Sequence, residues 1–245
     1  MTVRRMLHAL IDAALWECCP PEMVYFLNRS SVLETVALQC EEDAIAFASK
    51  DPAARGRSET VIASYTSFKA VAHYRLAHAL VSIVGFLDGD IGSELYAMLV
   101  SSRGKLLSGA ELHPRCHIGR RFVLDHGVGT VFGETTKIGD DCYVLGGVIL
   151  GASGIAGNPV GKRHPTIGDR VQIGAFARIF GPVSVGDDVF VGPHSVITED
   201  IPPSCVVTVR TRHQVVRAPC VQSSGLNTRL TPIEPSSIST MVPER

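Results

Sequence analysis

The stretch TIGDRVQIGAFARIFGPVSVGDDVFVGPHSVITE at residues 166–199 carries an aliphatic residue at every sixth position. A six-residue interval matches neither the 3.6-residue period of an α-helix nor the two-residue alternation of a β-strand. Glycine directly follows most of these aliphatic residues, and its wide range of backbone angles suits tight corners. The stretch therefore predicts a solenoid of short repeated units. The repeated residues are Ile167, Ile173, Ile179, Val185, Val191 and Ile197.

The same interval recurs earlier in the chain. If each unit forms one short strand and one turn, three units complete a triangular coil of about eighteen residues whose aliphatic side chains point inward. Stacked coils then form a prism with a continuous apolar core, and such repeats resemble those of the left-handed parallel β-helix. The earlier repeated positions are Ile118, Leu124, Phe132, Ile138, Val144 and Leu150.

The chain before residue 105 contains few glycines and has apolar residues at three- to four-residue spacing, which is typical of α-helices. We therefore predict an α+β fold, with an α-helical domain at residues 1–105 and a left-handed β-helix at residues 106–205. Residues 206–245 lack a period and are predicted to form a mobile tail. The predicted helices cover residues 3–17, 32–50, 65–87 and 91–100.

Charge and composition exclude several classes of protein. The chain of 245 residues has 23 Lys and Arg against 24 Asp and Glu, so its net charge of -1 gives no general attraction to nucleic acid or anionic membranes. The longest uncharged apolar stretch, residues 76–87, is shorter than the roughly 20 residues of a membrane helix. The 7 cysteines show no C-x-x-C spacing, which argues against a disulfide framework and a zinc site. We expect a cytoplasmic protein that binds no nucleic acid, membrane or metal.

Two interruptions of the repeat hold the candidate catalytic residues. The interval from Leu124 to Phe132 is two residues too long and contains His126. The interval from Leu150 to Ile167 is 17, one short of a whole coil, so a loop is expected to leave the prism within residues 152–165. Insertions in solenoids often carry function. This loop contains Arg163 and His164.

Acidic residues close to His126 suggest general-base chemistry. Asp125 precedes it, and Glu111 lies fifteen residues upstream, roughly one coil back, where a carboxylate can stack near the imidazole. A carboxylate that holds one ring nitrogen raises the basicity of the other, as the deprotonation of a hydroxyl requires. A metal site built from His126 and His164 would lack a close-spaced third ligand.

Several motifs in the chain resemble the serine O-acetyltransferases, which are hexapeptide-repeat acyltransferases. LDHGVG followed by GET and then RHP inside a hexapeptide array is specific to that family, and the resemblance covers residues from about 45 to 205. The matching stretches are SKDPAA at 49–54, SFKAVAHYRLAHAL at 67–80, HPRCHIGRRFVLDHGVGTVFGETTKIGDD at 113–141, GVILG at 147–151 and KRHPTIGDRVQIGA at 162–175.

The resemblance implies transfer of acetyl from acetyl-CoA to the hydroxyl of L-serine, giving O-acetylserine. It implies that His126 is the general base, that the acid at position 111 orients it, and that His164 assists. The remaining implied roles are recognition of the substrate carboxylate by Arg163 and of its ammonium by Asp51 and Asp125. The coenzyme A-binding residues stay unknown, because residues 209–212 replace the family's usual Gly-x-Pro-Ala segment.

Departures from the family pattern leave other functions open. The family usually has Asp at the positions of Glu111 and Lys162, and the loop before the RHP motif is longer here. Lys162 borders the acceptor site, so homoserine or an amino sugar remains an alternative acceptor. Outside the enzymes, the alternative is a subunit that keeps the solenoid but has no catalytic activity.

The resemblance also implies partners. Members of the family form homotrimers with the site between neighbouring subunits, and hexamers are the alternative. In the family, a C-terminal isoleucine inserts into cysteine synthase. This chain ends Val242-Pro243-Glu244-Arg245, and a large cation is costly to bury in an apolar pocket. We therefore expect no tight complex with cysteine synthase.

Overall fold

The helical part occupies the first half of the chain. The computed structural model describes residues 2–83, 92–158 and 160–210. Among them, a short 3₁₀ turn at Pro52–Ala54 separates the third helix from the fourth. The α-helices are α1 Val3–Cys18, α2 Pro21–Asn28, α3 Val32–Lys50, α4 Ser58–Ser64, α5 Thr66–Val81 and α6 Ser93–Ser108. None of these helices is long and apolar enough to cross a membrane.

Fourteen short strands follow in the described part, and all of their pairings are parallel. They form three sheets, with strand orders β1-β4-β7-β10-β13, β2-β5-β8-β11 and β3-β6-β9-β12-β14. The predicted left-handed β-helix of hexapeptide repeats is confirmed. The strands are β1 Glu111–Leu112, β2 His117–Ile118, β3 Val123–Leu124, β4 Val131–Phe132, β5 Lys137–Ile138, β6 Tyr143–Val144, β7 Ile149–Gly151, β8 Thr166–Ile167, β9 Gln172–Ile173, β10 Arg178–Phe180, β11 Ser184–Val185, β12 Phe190–Val191, β13 Val196–Ile197 and β14 Val206–Val207.

The 17-residue interval between Leu150 and Ile167 does not correspond to a shortened coil. β7 and β8 lie on adjacent sides of the prism, and Ile167 pairs with Ile138 of the coil before it. The loop therefore lies between two consecutive sides of one coil, where a regular repeat would need only six residues. The expectation that a loop leaves the prism within residues 152–165 agrees with the end of β7 at Gly151 and the start of β8 at Thr166.

Helix boundaries differ from the predicted ones at three places. Helix α2, which is absent from the predicted helices, begins at Pro21, because proline at the first helical position costs no hydrogen bond. Helix α5 ends at Val81 and not at residue 87 as predicted, and residues 84–91 lie outside the described residues. Helix α6 extends past Val100 to Ser108, and its Gly104 packs so closely on His73 that a Cβ there would lie 2.9 Å from that residue's Cβ.

The predicted domain division stays a prediction. The boundary near residue 105 falls inside α6, and β1 begins at Glu111. Most of the predicted mobile tail, from residue 211 onward, lies outside the described residues, and so do the terminal residues that the expectation about cysteine synthase concerns.

Helix α5 packs on the first coil of the prism. Its Ala70, Val71 and Tyr74 are buried in the same apolar cluster as the inner residues of the strands. The Tyr74 hydroxyl donates to the carbonyl of Cys116 (2.8 Å) and accepts from the amide of Ile118 (3.0 Å). One buried phenol therefore satisfies backbone groups of the first coil.

A buried ion pair joins two helices to the same coil. The Arg75 guanidinium donates from Nε to Asp43 Oδ2 (2.9 Å) and from its terminal nitrogens to the carbonyls of Ile118 (2.6 Å) and Gly119 (2.5 Å). Asp43 Oδ1 accepts from the amide of Phe122 (2.8 Å). Both side chains are almost fully buried, so each depends on the other for compensation of its charge.

Removing one partner of this pair should strongly destabilise the fold. We expect Arg75→Met and Asp43→Asn each to lower the free energy of unfolding by about 3 to 5 kcal/mol, the usual cost of leaving a buried charge unpaired. Urea denaturation measures this loss. Arg170→Met, which removes an exposed ion pair with Asp188, is the control and should change the midpoint little. Equal, small effects of all three variants would contradict the prediction.

Candidate active site

His126 lies in the turn at residues 125–130, which joins β3 to β4. Gly127 in this turn has φ of 72° and packs against α5 so closely that a Cβ would lie 3.1 Å from the Cβ of Ser67. His126 itself has φ of 63°, a conformation that several other corner residues of the prism share, such as Asp141 and Arg170. The positive φ is therefore a property of the corners and does not by itself mark a functional residue.

The turn forms one wall of a cleft, which we call the His126 cleft. Its volume is about 490 Å³. The side chain of His126 is 81% exposed, and its ring nitrogen Nε2 lies 3.8 Å from Asp125 Oδ2. The imidazole is therefore accessible to a substrate. The lining residues are Asp51, Ala53, Ser64, Tyr65, Thr66, Ser67, Asp125 and His126.

The two aspartates of the His126 cleft are held by specific hydrogen bonds. Asp51 ends α3, where its Oδ1 accepts from the amide of Ala53 (2.9 Å), so it serves the helix end and the cleft at once. Its Oδ2 accepts from the hydroxyl of Tyr65 (2.7 Å). Asp125 Oδ2 accepts from the hydroxyl of Tyr143 (2.9 Å). The sequence places Asp51 and Asp125 far apart, and the fold brings both into one cleft.

His164 lies on a different edge of the prism, in the loop that joins β7 to β8. It is 8% exposed, and its Nδ1 accepts from the amide of Thr135 (3.2 Å). The Thr135 hydroxyl accepts from the amides of Arg163 (3.0 Å) and His164 (3.1 Å), so its single proton is available for Nδ1 at 2.9 Å. Because Nδ1 accepts from two donors, the neutral ring carries its proton on Nε2.

The surroundings of His164 favour this neutral ring. Burial lowers its pKa, and the nearby positive charges of Arg163 and Lys162 lower it further. The ring packs directly on Gly133, where a Cβ would lie 2.1 Å from Nε2. Packing therefore explains two residues of the GET motif. Gly133 leaves room for the His164 ring, and Thr135 fixes the orientation of that ring.

Arg163 and Lys162 are both engaged in the loop. Arg163 forms an ion pair with Glu134, whose hydrogen bond to the guanidinium lowers the pKa of that glutamate. Lys162 donates from Nζ to the carbonyls of Thr135 (2.8 Å) and Pro165 (3.0 Å). Burial lowers the pKa of Lys162 to about 8. Lys162 therefore ties the loop to the turn that holds His164.

Glu111 is not among the residues that line the His126 cleft. Its carboxylate pairs with Lys105 in the last turn of α6 at 2.5 Å, and it borders a smaller cleft together with His113. The fifteen-residue spacing suggested that the Glu111 carboxylate stacks near the His126 imidazole. It gave no information about Lys105, which pairs with this carboxylate. The orienting role of Glu111 stays a prediction.

The predicted site residues therefore form two groups on two edges of the prism. Asp51, Asp125 and His126 lie at the edge where β3 leads to β4, and Arg163 and His164 lie at the edge where β7 leads to β8. Sequence reasoning missed Tyr65 and Tyr143 because nothing in their positions marks them. It quoted Thr135 only as part of the GET motif. Within the described residues, no group of three or more His, Cys, Asp or Glu is placed to hold a metal ion.

Comparisons with known proteins agree with this architecture. Residues 164–199 match the family model described as bacterial transferase hexapeptide (six repeats). A serine acetyltransferase of Helicobacter pylori is 42% identical over 153 residues, which cover 62% of this chain and 82% of that protein. The chain belongs to the serine acetyltransferase family.

Two further members of the serine acetyltransferase family show how much of the chain is shared. The serine acetyltransferase of Mycobacterium tuberculosis is 42% identical over 158 residues, and the match spans 64% of this chain and 64% of that protein. The crystal structure of the Neisseria gonorrhoeae serine acetyltransferase in complex with serine has a TM-score of 0.67 at 29% identity. The match covers 84% of this chain and 82% of the Neisseria gonorrhoeae chain.

The protonation state of His164 can be tested directly. We expect nitrogen NMR to find its proton on Nε2 at pH 7.5 and a titration midpoint below about 6.5, the ordinary value, because burial disfavours the charged ring. Since the unfolded state then binds more protons, His164 should cost stability as the pH falls below about 6.5.

Substitutions of Thr135 supply the matched pair for this measurement. Thr135→Ser keeps the hydroxyl and should preserve the Nε2 proton signal, whereas Thr135→Val removes the hydroxyl donor but keeps the amide donor, so it should weaken the preference for a proton on Nε2. A proton found on Nδ1 in the unaltered protein, or a midpoint above 6.5, would refute the assignment.

Proposed function

We propose that this protein is a serine O-acetyltransferase, which transfers acetyl from acetyl-CoA to the hydroxyl of L-serine and releases O-acetylserine and coenzyme A. The observation that carries the proposal is the exposed His126 imidazole beside the carboxylates of Asp51 and Asp125 in one cleft of a family solenoid. The Neisseria gonorrhoeae relative crystallised with serine supports serine as the acceptor.

The thioester of acetyl-CoA is already activated, so the protein mainly has to position the serine hydroxyl and remove its proton. His126 accepts the proton of the serine hydroxyl while the oxygen attacks the thioester carbonyl. The carbon–oxygen bond forms, the carbon–sulfur bond breaks, and the coenzyme A sulfur takes the proton back from His126. His164 is excluded as the base, since its Nδ1 already accepts from Thr135 and its Nε2 carries a proton.

The charges of the site suit an amino acid. Asp51 and Asp125 provide the negative charge that an α-ammonium requires. Arg163 provides a fork of parallel donors that suits a carboxylate, and it would share its guanidinium between the substrate and Glu134. His164, with its Nε2 proton, is left as a hydrogen-bond donor that assists in the site.

The separation of the two groups supports a shared site. One prism carries His126 on one edge and Arg163 on another, so a site with both groups requires two copies of the chain. We propose a homotrimer, with a hexamer as the alternative, in which serine and acetyl-CoA bind between neighbouring copies. We further propose that the protein works in the cytoplasm, in amino-acid biosynthesis that leads to cysteine.

Loss of the base should abolish most of the activity. We expect His126→Ala to lower kcat about 100-fold or more, the usual scale for general-base catalysis. Release of free thiol from acetyl-CoA in the presence of L-serine measures it. His8→Ala, on α1 and outside the lining of the His126 cleft, is the control and should keep normal turnover.

The same assay tests the acceptor. Homoserine and an amino sugar should react far more slowly than serine, and a preference for either would overturn serine as the acceptor.

Subunit mixing tests the shared site. His126→Ala and Arg163→Ala should each be nearly inactive, but trimers refolded from an equal mixture should recover about a quarter of the activity, because random assembly pairs the two intact residues at that share of interfaces. Light scattering verifies that the mixed particles are trimers. Mixed trimers without recovered activity would show that both residues act in the same copy, and a monomeric mass would equally refute the proposal.

A further inference from the structure

Two tyrosines donate hydrogen bonds to the aspartates of the His126 cleft, and one of them, Tyr65, also lines the cleft. Tyr65 lies between α4 and α5 and donates its hydroxyl proton to Asp51 Oδ2 at 2.7 Å. Tyr143 lies on β6 and donates its hydroxyl proton to Asp125 Oδ2 at 2.9 Å. Each carboxylate of the cleft therefore has one phenol of its own, although the two tyrosines come from different parts of the fold.

Both rings are anchored by elements outside the cleft. Tyr65 meets Phe47 of α3 edge to face, with ring centroids 5.1 Å apart. Tyr143 pairs in register with Val123 on one side and Gln172 on the other. Both rings also pack against the apolar core of the helical part. Their hydroxyls are thus held in place by packing and do not depend on a ligand.

The four polar groups act as one electrostatic unit. The hydrogen bond to Asp51 raises the pKa of Tyr65, and the charge of Asp125 raises it further. Burial raises the pKa of Tyr143, followed by its hydrogen bond to Asp125 and by the charge of Asp51. Both phenols therefore remain neutral donors at neutral pH, and each tyrosine senses both aspartates.

We propose that Tyr65 and Tyr143 are positioning residues that fix the carboxylates of Asp51 and Asp125 for the ammonium group of the acceptor. The inference rests on the proposed function and extends it to the determinants of acceptor recognition. Two carboxylates in one cleft repel each other, and the phenol donors hold each one in a fixed position while the cleft is empty. An ammonium then meets two charges that are already oriented, so little ordering is needed on binding.

The same arrangement favours amino acids over acceptors without a positive charge. A hydroxy acid that lacks the α-ammonium would cover two fixed carboxylates and leave both without a counter-charge. A site built to bind a charged group discriminates strongly against an analogue that lacks it, because the partner groups stay unpaired. The tyrosines strengthen this discrimination by preventing the carboxylates from turning away.

Removal of each hydroxyl isolates its effect. Tyr65→Phe and Tyr143→Phe should each raise the KM for L-serine about tenfold, in line with the loss of a hydrogen bond to a charged group. The KM for acetyl-CoA and kcat should stay within about twofold, because each lost hydroxyl donates to an aspartate and not to the base His126. Thiol release at varied concentrations of each substrate measures all of these constants.

Two other tyrosines provide matched controls. Tyr25→Phe changes an exposed phenol beside Trp16 and should alter nothing. Tyr74→Phe removes the buried hydroxyl that serves Cys116 and Ile118, so it should lower the thermal midpoint without changing the KM for serine. A rise of that KM in Tyr74→Phe as large as in the cleft variants would mean that loss of stability explains the effect, and it would overturn the inference.

A double-mutant cycle tests whether the tyrosines act through the aspartates. In an Asp51→Asn background, Tyr65→Phe should change kcat/KM for serine less than about twofold, whereas in the Asp125→Asn background it should keep most of its effect. Measurement below saturation gives kcat/KM even where binding is weak. A full tenfold effect in the Asp51→Asn background would refute a role through Asp51.

The outcomes separate this inference from the proposed function. If the unaltered protein releases no thiol in response to serine, the proposed function fails. If it does release thiol but Tyr65→Phe and Tyr143→Phe leave the KM for serine unchanged, the proposed function stands and the positioning role is wrong. A lower kcat with an unchanged KM would also contradict the positioning role.

Discussion

The structure depends on how the first coil of the prism meets the helices. A parallel solenoid satisfies its backbone groups through neighbouring coils, and its first coil lacks a neighbour on one side. Here Arg75 and Tyr74 of α5 supply donors to the carbonyls of Cys116, Ile118 and Gly119. Asp43 of α3 compensates the buried charge of Arg75 and also accepts from the first coil. These few buried polar contacts fix both helices against the prism.

This junction also determines the geometry of the His126 cleft. Asp51 ends α3, Tyr65 precedes α5, and the turn that contains His126 packs on the first residues of α5. Helices α3 and α5, which make the polar contacts to the first coil, therefore also contribute to one wall of the cleft. The turn between β3 and β4 forms the other wall. The prism supplies Asp125 and His126 to the cleft, and the helical part supplies Asp51.

The two histidines show how local contacts give one residue type two different environments. His126 projects from a corner into solvent, so its ring is accessible to a substrate proton. His164 is packed on Gly133 and held through Nδ1 by Thr135, so its tautomer is set before a ligand arrives. Lys162 and the Thr135 hydroxyl bind the loop to the adjacent turn, which makes an otherwise long connection a precise element of the site.

The sequence by itself determined the solenoid, because every sixth side chain must fill the prism and no other arrangement gives that interval. It also singled out the turn of His126 and the loop of His164, since residues that interrupt the repeat are released from packing the core. Tertiary structure alone decided the partners: Glu111 pairs with Lys105, and Tyr65 and Tyr143 hold the two aspartates. Such contacts depend on which helix end or edge of the prism each side chain occupies. A six-residue repeat specifies that side chains point inward or outward, but not what they meet outside.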